Sequence, residues 1–183
     1  KVARIELNAV ENLLESGMLL EQNDGFMFRH ELARQAVLST IPLHRKTMLH
    51  KLVLESLKTS TSQDLAPLAH HAEEAKDAEA VHEYAPKAAV RAVGLKAHRE
   101  AAAQYARALR FAESLEPEEK ATLLESYSYE CYLTEQLEEA LTARQQALSI
   151  WQTLGEAQKE GENLRWLSRL HWNLGHKTEV EHY

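Results

Sequence analysis

His30 and Glu31 stand in the stretch GFMFRHELARQAV (25–37), whose apolar residues recur at helical spacing. A zinc-protease helix carries the pattern His-Glu-x-x-His, because two imidazoles four residues apart share one helix face and reach one metal ion. Arg34 occupies the position four residues after His30. A guanidinium is a permanent cation and cannot ligate a metal, so this stretch is not a metalloprotease helix.

Ten histidines pose the question of a metal site elsewhere in the chain. His70 and His71 are adjacent, and adjacent residues on a helix point about 100° apart, so we expect that they do not chelate one ion together. Other histidines stand on polar faces of predicted helices with no acid or thiol at ligand spacing: His44, His50, His82 and His98. The sequence therefore predicts no metal site.

Residues for covalent or acid–base catalysis are equally hard to assemble. Paired acids occur at predicted helix starts or on solvent faces: Glu73-Glu74, Glu118-Glu119 and Glu138-Glu139. The six glycines are dispersed, so the chain has neither a nucleophile elbow nor a phosphate-binding loop. Cys131 has no neighbouring His or Lys to activate it, and the residues around it indicate a packed helix. We therefore predict no catalytic residues and no enzyme activity in this chain.

The composition predicts an all-α protein. The chain has 183 residues, 44% of them hydrophobic, and is rich in Ala, Leu, Glu, Gln and Arg, which favour helices. A net charge of −7 argues against a general nucleic-acid surface. The single cysteine fits a reducing cytoplasm, and no apolar run approaches the roughly 20 residues that span a bilayer. The first residue is not Met, and we expect a segment of a longer protein.

Residues 1–58 differ from the rest and predict a winged-helix-like unit. A helical stripe at 4–17 precedes a β-hairpin at 18–28, whose turn residues tolerate positive φ. Helices follow at 29–40 and 43–57. Residues 1–25 hold two cations against five acids, so we expect no direct contact with nucleic acid.

Residues 64–183 predict tetratricopeptide-like helical hairpins that stack as a solenoid. Small residues recur 39 residues apart at Ala101 and Ala140, and 40 residues later at Val180. Other packing-sized residues keep the same spacing: Ala85, Leu124 and Leu164, then Ala92, Cys131 and His171. The usual repeat of about 34 residues is lengthened here by longer helices. The predicted helices are 64–75, 78–94, 97–115, 118–135, 137–154, 157–174 and one starting at 177, and Pro86 should kink the second or shift its start.

A solenoid of this kind offers a concave surface for an inducer or a protein partner. Counting from Leu124 and Leu164, we expect one helix to present Glu125, Tyr129 and Tyr132, and the next to present Arg165, Arg169 and Trp172. Tyr, Trp and Arg are the residue types that anchor interfaces. In the alternative, Tyr129, Tyr132 and Trp172 fill the seams between helices.

Several stretches together resemble LuxR-type transcriptional regulators and related signal-transduction ATPases. They are FMFRHEL (26–32) with Arg34, LHKL (49–52), LAHHAEEA (68–75), AHREAAAQYARAL (97–109) and LSRLHWNLG (167–175). The chain departs from that pattern at Gln35-Ala36-Val37-Leu38, where relatives often carry Glu-Ala and then an aromatic. The resemblance implies the winged-helix and repeat region between an ATPase domain and a DNA-binding domain.

The resemblance also implies a role for His30, which matches a histidine that senses the phosphates of ATP or ADP bound by the parent protein. In the alternative, His30 only holds the hairpin to the helix. We expect a non-catalytic cytoplasmic segment that contains no cofactor of its own, contacts the ATPase domain of the same chain, and couples inducer or partner binding to the ATPase switch. The alternative function is a protein–protein interaction scaffold without an attached ATPase.

Overall fold

A computed structural model of the chain describes residues 7–22, 25–59 and 64–176. This part is mostly helical, and its sheet is a single antiparallel pair, which confirms the all-α prediction. Its helices are α1 Leu7–Glu15, α2 Glu31–Thr40, α3 Leu43–Lys58, α4 Leu65–Glu74, α5 Ala78–Gly94, α6 His98–Leu109, α7 Pro117–Leu133, α8 Leu137–Leu154 and α9 Ala157–Leu174. No helix in these ranges is both long enough and apolar enough to cross a bilayer.

The two strands are β1 Leu19–Gln22 and β2 Gly25–Phe28, with Leu19 opposite Phe28 and Gln22 opposite Gly25. Within the described residues β-structure is confined to the predicted hairpin. The turn residues Asn23 and Asp24 lie outside the described residues.

The end of α1 and the start of the hairpin form one joint. Gly17 has a φ of 70°, and the amide of Met18 donates to the carbonyl of Leu13 at 3.0 Å, which closes the helix with a left-handed residue. The amide of Arg29 then donates to the carbonyl of Met18 at 3.0 Å, which closes the hairpin at its open end.

The N-terminal elements bury little of their apolar surface. Among the described residues whose burial is defined, none between Val10 and Val53 is fully buried, and Leu54 is the first that is. Leu32 on α2 is 80% exposed and Leu43 at the start of α3 is 76% exposed. The hairpin and α2 therefore present an apolar surface to their surroundings.

From α3 to α9 each helix packs against the next one in the chain. The predicted bounds of three helices, 78–94, 137–154 and 157–174, agree with α5, α8 and α9 residue for residue. The predicted helix 97–115 is wrong at its end: α6 stops at Leu109, and a 3-10 turn follows at Ala112–Ser114. The amide of Phe111 bonds the carbonyl three residues back, at 3.1 Å, which tightens the last turn and ends the α-helix.

Pro86 lies inside α5 and does not shift its start, which remains at Ala78. The side chain of Asp77 accepts a hydrogen bond from the amide of Ala80 at 3.1 Å and fixes the helix start. Because proline has no N–H, the carbonyl four residues before Pro86 loses its helical donor.

Many of the buried side chains are small, and several of the buried residues stand at the recurring positions. Burial confirms the prediction that these positions pack, and the buried members are Ala85, Ala92, Ala101, Leu124, Cys131, Ala140 and His171. Leu164 is only partly buried. Val180 and the predicted helix from 177 lie outside the described residues. Alanine at these positions lets neighbouring helices approach closely, because it adds little bulk to the interface. Trp151 is the largest fully buried side chain.

Candidate functional site

Trp166 on α9 is the centre of an aromatic cluster that includes two residues of α7. The ring of Tyr129 meets its indole edge-on at 5.6 Å between centroids, and the ring of Tyr132 does so at 5.5 Å. Edge-to-face pairs at this distance are favourable, because the positive edge of one ring meets the negative face of the other. Trp166 therefore ties α9 to α7 while staying partly exposed itself.

Two guanidinium groups flank the same indole. The Cζ atoms of Arg144 and Arg169 each lie 5.3 Å from the centroid of the Trp166 ring. Arg169 is exposed and, together with Arg165 and Trp166, lines a cleft of about 290 Å³. The cleft thus has an aromatic wall and two solvent-facing cations, which suits an anionic ligand with a flat group.

The structure brings together part of the predicted concave surface. Tyr129, Tyr132 and Arg169 meet at Trp166, and Arg165 lies in the same cleft. Trp172 is 73% exposed and is not among the residues that line the cleft. The alternative that Trp172 fills a seam between helices is therefore wrong, whereas Tyr132 does pack against a buried cluster.

Glu125 is engaged inside the helix stack. Its carboxylate accepts hydrogen bonds from Trp151 Nε1 at 2.9 Å, Lys159 Nζ at 3.1 Å and Asn163 Nδ2 at 2.6 Å. These donors come from α8 and α9, so the side chain links three helices. With both oxygens held by internal donors, Glu125 supports the surface from within and does not present its charge to a ligand.

Arg144 completes this buried polar network, and the sequence reasoning missed it. Its side chain is almost fully buried, and its Nη2 donates to the backbone carbonyl of Glu125 at 3.0 Å. Longer contacts of 3.4 Å reach Ser128 Oγ and Asn163 Oδ1. Burial lowers the pKa of Arg144, and the charges of Glu125 and Glu162 oppose that shift. The sequence signal was a cation on the otherwise apolar stripe that begins at Ala140.

A second depression of about 570 Å³ lies among α6, α7 and α8. Ala106, Leu109 and Tyr127 form part of its wall, and the paired acids Glu138 and Glu139 lie on its rim. Burial raises the pKa of Tyr127 to about 12, and its hydrogen bond with Cys131 adds to the effect. Cys131 is buried as predicted, and burial raises the pKa of its thiol as well.

His30 stands at the start of α2 with extended backbone angles, φ −127° and ψ 130°. Its backbone carbonyl accepts hydrogen bonds from the amides of Ala33 and Arg34, whereas its exposed side chain makes no capping bond. Arg34 instead pairs with Glu31, whose Oε2 accepts from Arg34 Nε at 2.7 Å. The side chain of His30 is therefore exposed and does not cap the helix.

The structure gives two groups of histidines neighbours that the sequence analysis did not anticipate. His98 has an acidic partner, since its Nδ1 lies 2.8 Å from Oε2 of the buried Glu130, thirty-two residues further along the chain. The rings of His70 and His71 lie 5.1 Å apart, and a third histidine, His50 on α3, contacts both of them. Ligand atoms of these three side chains all lie within 4.8 Å of one another. The helical-spacing rule considered one helix alone, and the neighbouring helix supplies the missing ring.

The comparisons with known proteins place no family name on this chain. No family model matches it, and no curated protein matches it. Thirteen chains among the solved structures match, one of them being the crystal structure of BtubC (BKLC) from P. vanneervenii. That protein is 18% identical over 81% of this chain and 72% of its own, with a TM-score of 0.48. A likeness at this level supports no conclusion about function.

Proposed function

We propose that the chain is a non-catalytic regulatory and interaction segment of a bacterial signal-transduction ATPase. Residues 1–58 would form a winged-helix-like unit, and residues 64–183 would form tetratricopeptide-like hairpins. The repeat assignment is supported by burial at the recurring positions and by the sequential packing of α4 to α9. The ATPase assignment is supported by the resemblance of the sequence.

The cleft beside Trp166 carries the proposal for what the repeats bind. Arg165 and Arg169 are exposed beside an aromatic face, although the chain as a whole is acidic. Two cations at one aromatic surface favour a partner with carboxylates next to a flat or aromatic group. We propose an acidic peptide segment or a small carboxylate inducer as the ligand. Tyr129, which is 43% exposed, would extend the contact along α7.

The N-terminal unit would contact the ATPase domain of the same chain. Its exposed apolar side chains are large and close in sequence: Phe26, Met27, Leu32, Leu43 and Met48. Apolar surface of this extent is typical of a docking face in a multidomain protein. His30 is exposed beside this surface, and in the proposal it donates a hydrogen bond to a phosphate of the nucleotide bound by that domain.

The ligand cleft is tested with fluorescein-labelled acidic peptides that contain one aromatic residue, measured by fluorescence anisotropy. The double variant Arg165→Ala/Arg169→Ala is expected to weaken binding at least tenfold, because both charge and stacking are lost. A matched control is Arg45→Ala/Arg99→Ala, which removes two exposed arginines elsewhere, so that both double variants have the same net charge. Equal affinity in the two double variants would show that the peptide is attracted by general charge and not by the cleft.

The nucleotide role is tested in the full-length parent protein with His30→Ala. The variant is expected to alter nucleotide retention or basal activation, whereas the chain alone is expected to bind no nucleotide. Unchanged nucleotide off-rates and basal activity would leave His30 with a structural role. A gene without a phosphate loop upstream and a helix-turn-helix downstream would favour the alternative, a scaffold without an attached ATPase.

A further inference from the structure

Three imidazoles from two helices converge beside the junction of α3 and α4. His50 Nδ1 lies 2.9 Å from His71 Nδ1, and the ring centroids of His50 and His70 are 5.8 Å apart. The rings of His70 and His71 are 5.1 Å apart. Within the described residues, potential ligand atoms of all three side chains lie within 4.8 Å of one another.

We propose that His50, His70 and His71 form a binding site for a divalent transition-metal ion, of which Zn²⁺ is the probe we choose. Imidazole nitrogen is a preferred ligand of zinc and of its neighbours in the first transition row. Tetrahedral zinc with nitrogen ligands about 2.0–2.1 Å from the metal sets the nitrogens about 3.3 Å apart. The His50–His71 separation needs to open by only about 0.4 Å to reach that spacing.

The backbones that carry these histidines are fixed by the core. His50 stands one helical turn before Leu54, and Leu54 packs in one cluster with Leu68, Ala69 and Ala72, which surround His70 and His71 along α4. The ligands therefore do not depend on a loop for their position. Coordination would bring the three nitrogens, which lie within 4.8 Å of one another, to about 3.3 Å apart.

The chemistry of the surroundings favours a metal over a hydrogen-bonded histidine pair. Burial lowers the pKa of His50 and of His71, which favours the neutral form that a metal ligand requires. A hydrogen bond between His50 and His71 uses one nitrogen of each and gives His70 no part, whereas coordination uses all three rings. Glu73 is held by Arg107 and Arg110, and the exposed Glu74 remains to supply the fourth ligand or to bind a water on the ion.

The ion would join the last helix of the N-terminal unit to the first helix of the repeats. His50 belongs to α3 and both other ligands belong to α4, on either side of the predicted linker. A bound metal would thus stabilise the α3–α4 interface against separation. This inference stands independently of the ligand cleft and of the ATPase assignment.

The test uses the whole 183-residue chain without a histidine tag, first stripped with a chelator and then titrated with Zn²⁺ in competition with a chromophoric chelator. Binding of one equivalent is expected, with the melting temperature raised by the ion. His50→Ala and His71→Ala are each expected to weaken the site at least tenfold. His70→Ala is also expected to lower the affinity for zinc. Because His70 is exposed, this variant should not disturb folding.

The matched control is His44→Ala, which removes an exposed histidine from the same helix as His50 and is expected to leave zinc affinity unchanged. Circular dichroism of each variant checks that the helices are retained. Wild-type affinity in folded His70→Ala and His71→Ala proteins would overturn the proposal. Loss of the ion in His176→Ala instead would assign it to the His171–His176 pair, whose Nδ1 atoms lie 3.2 Å apart, and would overturn it equally.

Discussion

The guanidinium of Arg144 on α8 and the indole of Trp166 on α9 are stacked, with 5.3 Å between Cζ and the ring centroid. Arg144 is only 4% exposed, so the cation has little water around it. Its hydrogen bond to the Glu125 carbonyl adds α7 to the contact. A buried cation therefore supports the aromatic wall of the exposed cleft from behind.

Replacement of Arg144 should separate the effect of volume from the effect of charge. Arg144→Ala is expected to lower the free energy of unfolding by about 3 kcal/mol, because it leaves a cavity and removes the buried hydrogen bond to the Glu125 carbonyl. Arg144→Met fills most of the space and removes a desolvated charge, so we expect a loss of only about 1 kcal/mol. Urea unfolding measures both, and a larger loss for Met than for Ala would contradict the packing role.

Glu125 should behave as a structural acceptor. Glu125→Ala leaves three donors without their acceptor and is expected to lower the free energy of unfolding by about 3 kcal/mol. Glu125→Gln is expected to lower it by less than Glu125→Ala but still measurably, because an amide nitrogen would then face the Lys159 ammonium. The control is Glu162→Gln on the same surface, whose oxygen lies 3.8 Å from Lys159 Nζ in a more exposed pair. That variant should change stability by less than about 0.5 kcal/mol. Equal losses for Glu125→Gln and Glu162→Gln in thermal and urea unfolding would refute this assignment.

Alkaline pH should weaken the stack through Tyr127. The pKa of this residue is raised from 10.0 to about 12, so the folded state holds a proton that the unfolded state has released between those values. The stabilisation is complete below pH 10 and is lost as pH rises toward 12, and because solvent screens this partly buried side chain we expect a loss of about 1 kcal/mol. Tyr127→Phe should remove this part of the pH dependence. If the free energy of unfolding of the variant and of the wild type fell in parallel from pH 9 to 11.5, the burial of Tyr127 would not be the cause of the loss of stability.

Two glycines near the α8–α9 junction should respond oppositely to alanine. Gly155 ends α8 with a φ of 75°, so Gly155→Ala is expected to cost about 1 kcal/mol from backbone strain. Gly161 lies within α9 and has open space where a Cβ would stand. Gly161→Ala is therefore expected to stabilise the protein by up to about 1 kcal/mol. Thermal unfolding of both variants gives the two changes in melting temperature, and changes of the same sign would contradict the opposite effects expected at Gly155 and Gly161.

The helices were predictable where local chemistry marks their ends. Asp77 caps the start of α5 with its side chain, and Gly155 and Gly175 end α8 and α9 with a positive φ. The end of α6 was not predictable, because the residues from Arg110 to Ser114 carry no proline or glycine to mark the change to a tighter turn. Local signals fix a boundary only where a side chain or a φ preference enforces it.

The site was predictable only in part, since its geometry depends on which helices meet. The choice of Tyr129, Tyr132, Arg165 and Arg169 used residue types and spacing along single helices. Trp166, at their centre, was not among them, and its packing against α7 distinguishes it from the exposed Trp172. The histidine cluster and the His98–Glu130 pair were missed for the same reason, because each joins residues twenty or more positions apart.

The sequential packing of α3 to α9 has a mechanical consequence. Because each helix packs mainly against the one before it and the one after it, tension applied along the chain would open the stack in steps from its ends. The protein would therefore stretch as a spring with a weak link at each junction. Zinc at the first of these links and a ligand beside Trp166 near the last would each stiffen one end without changing the elasticity of the other.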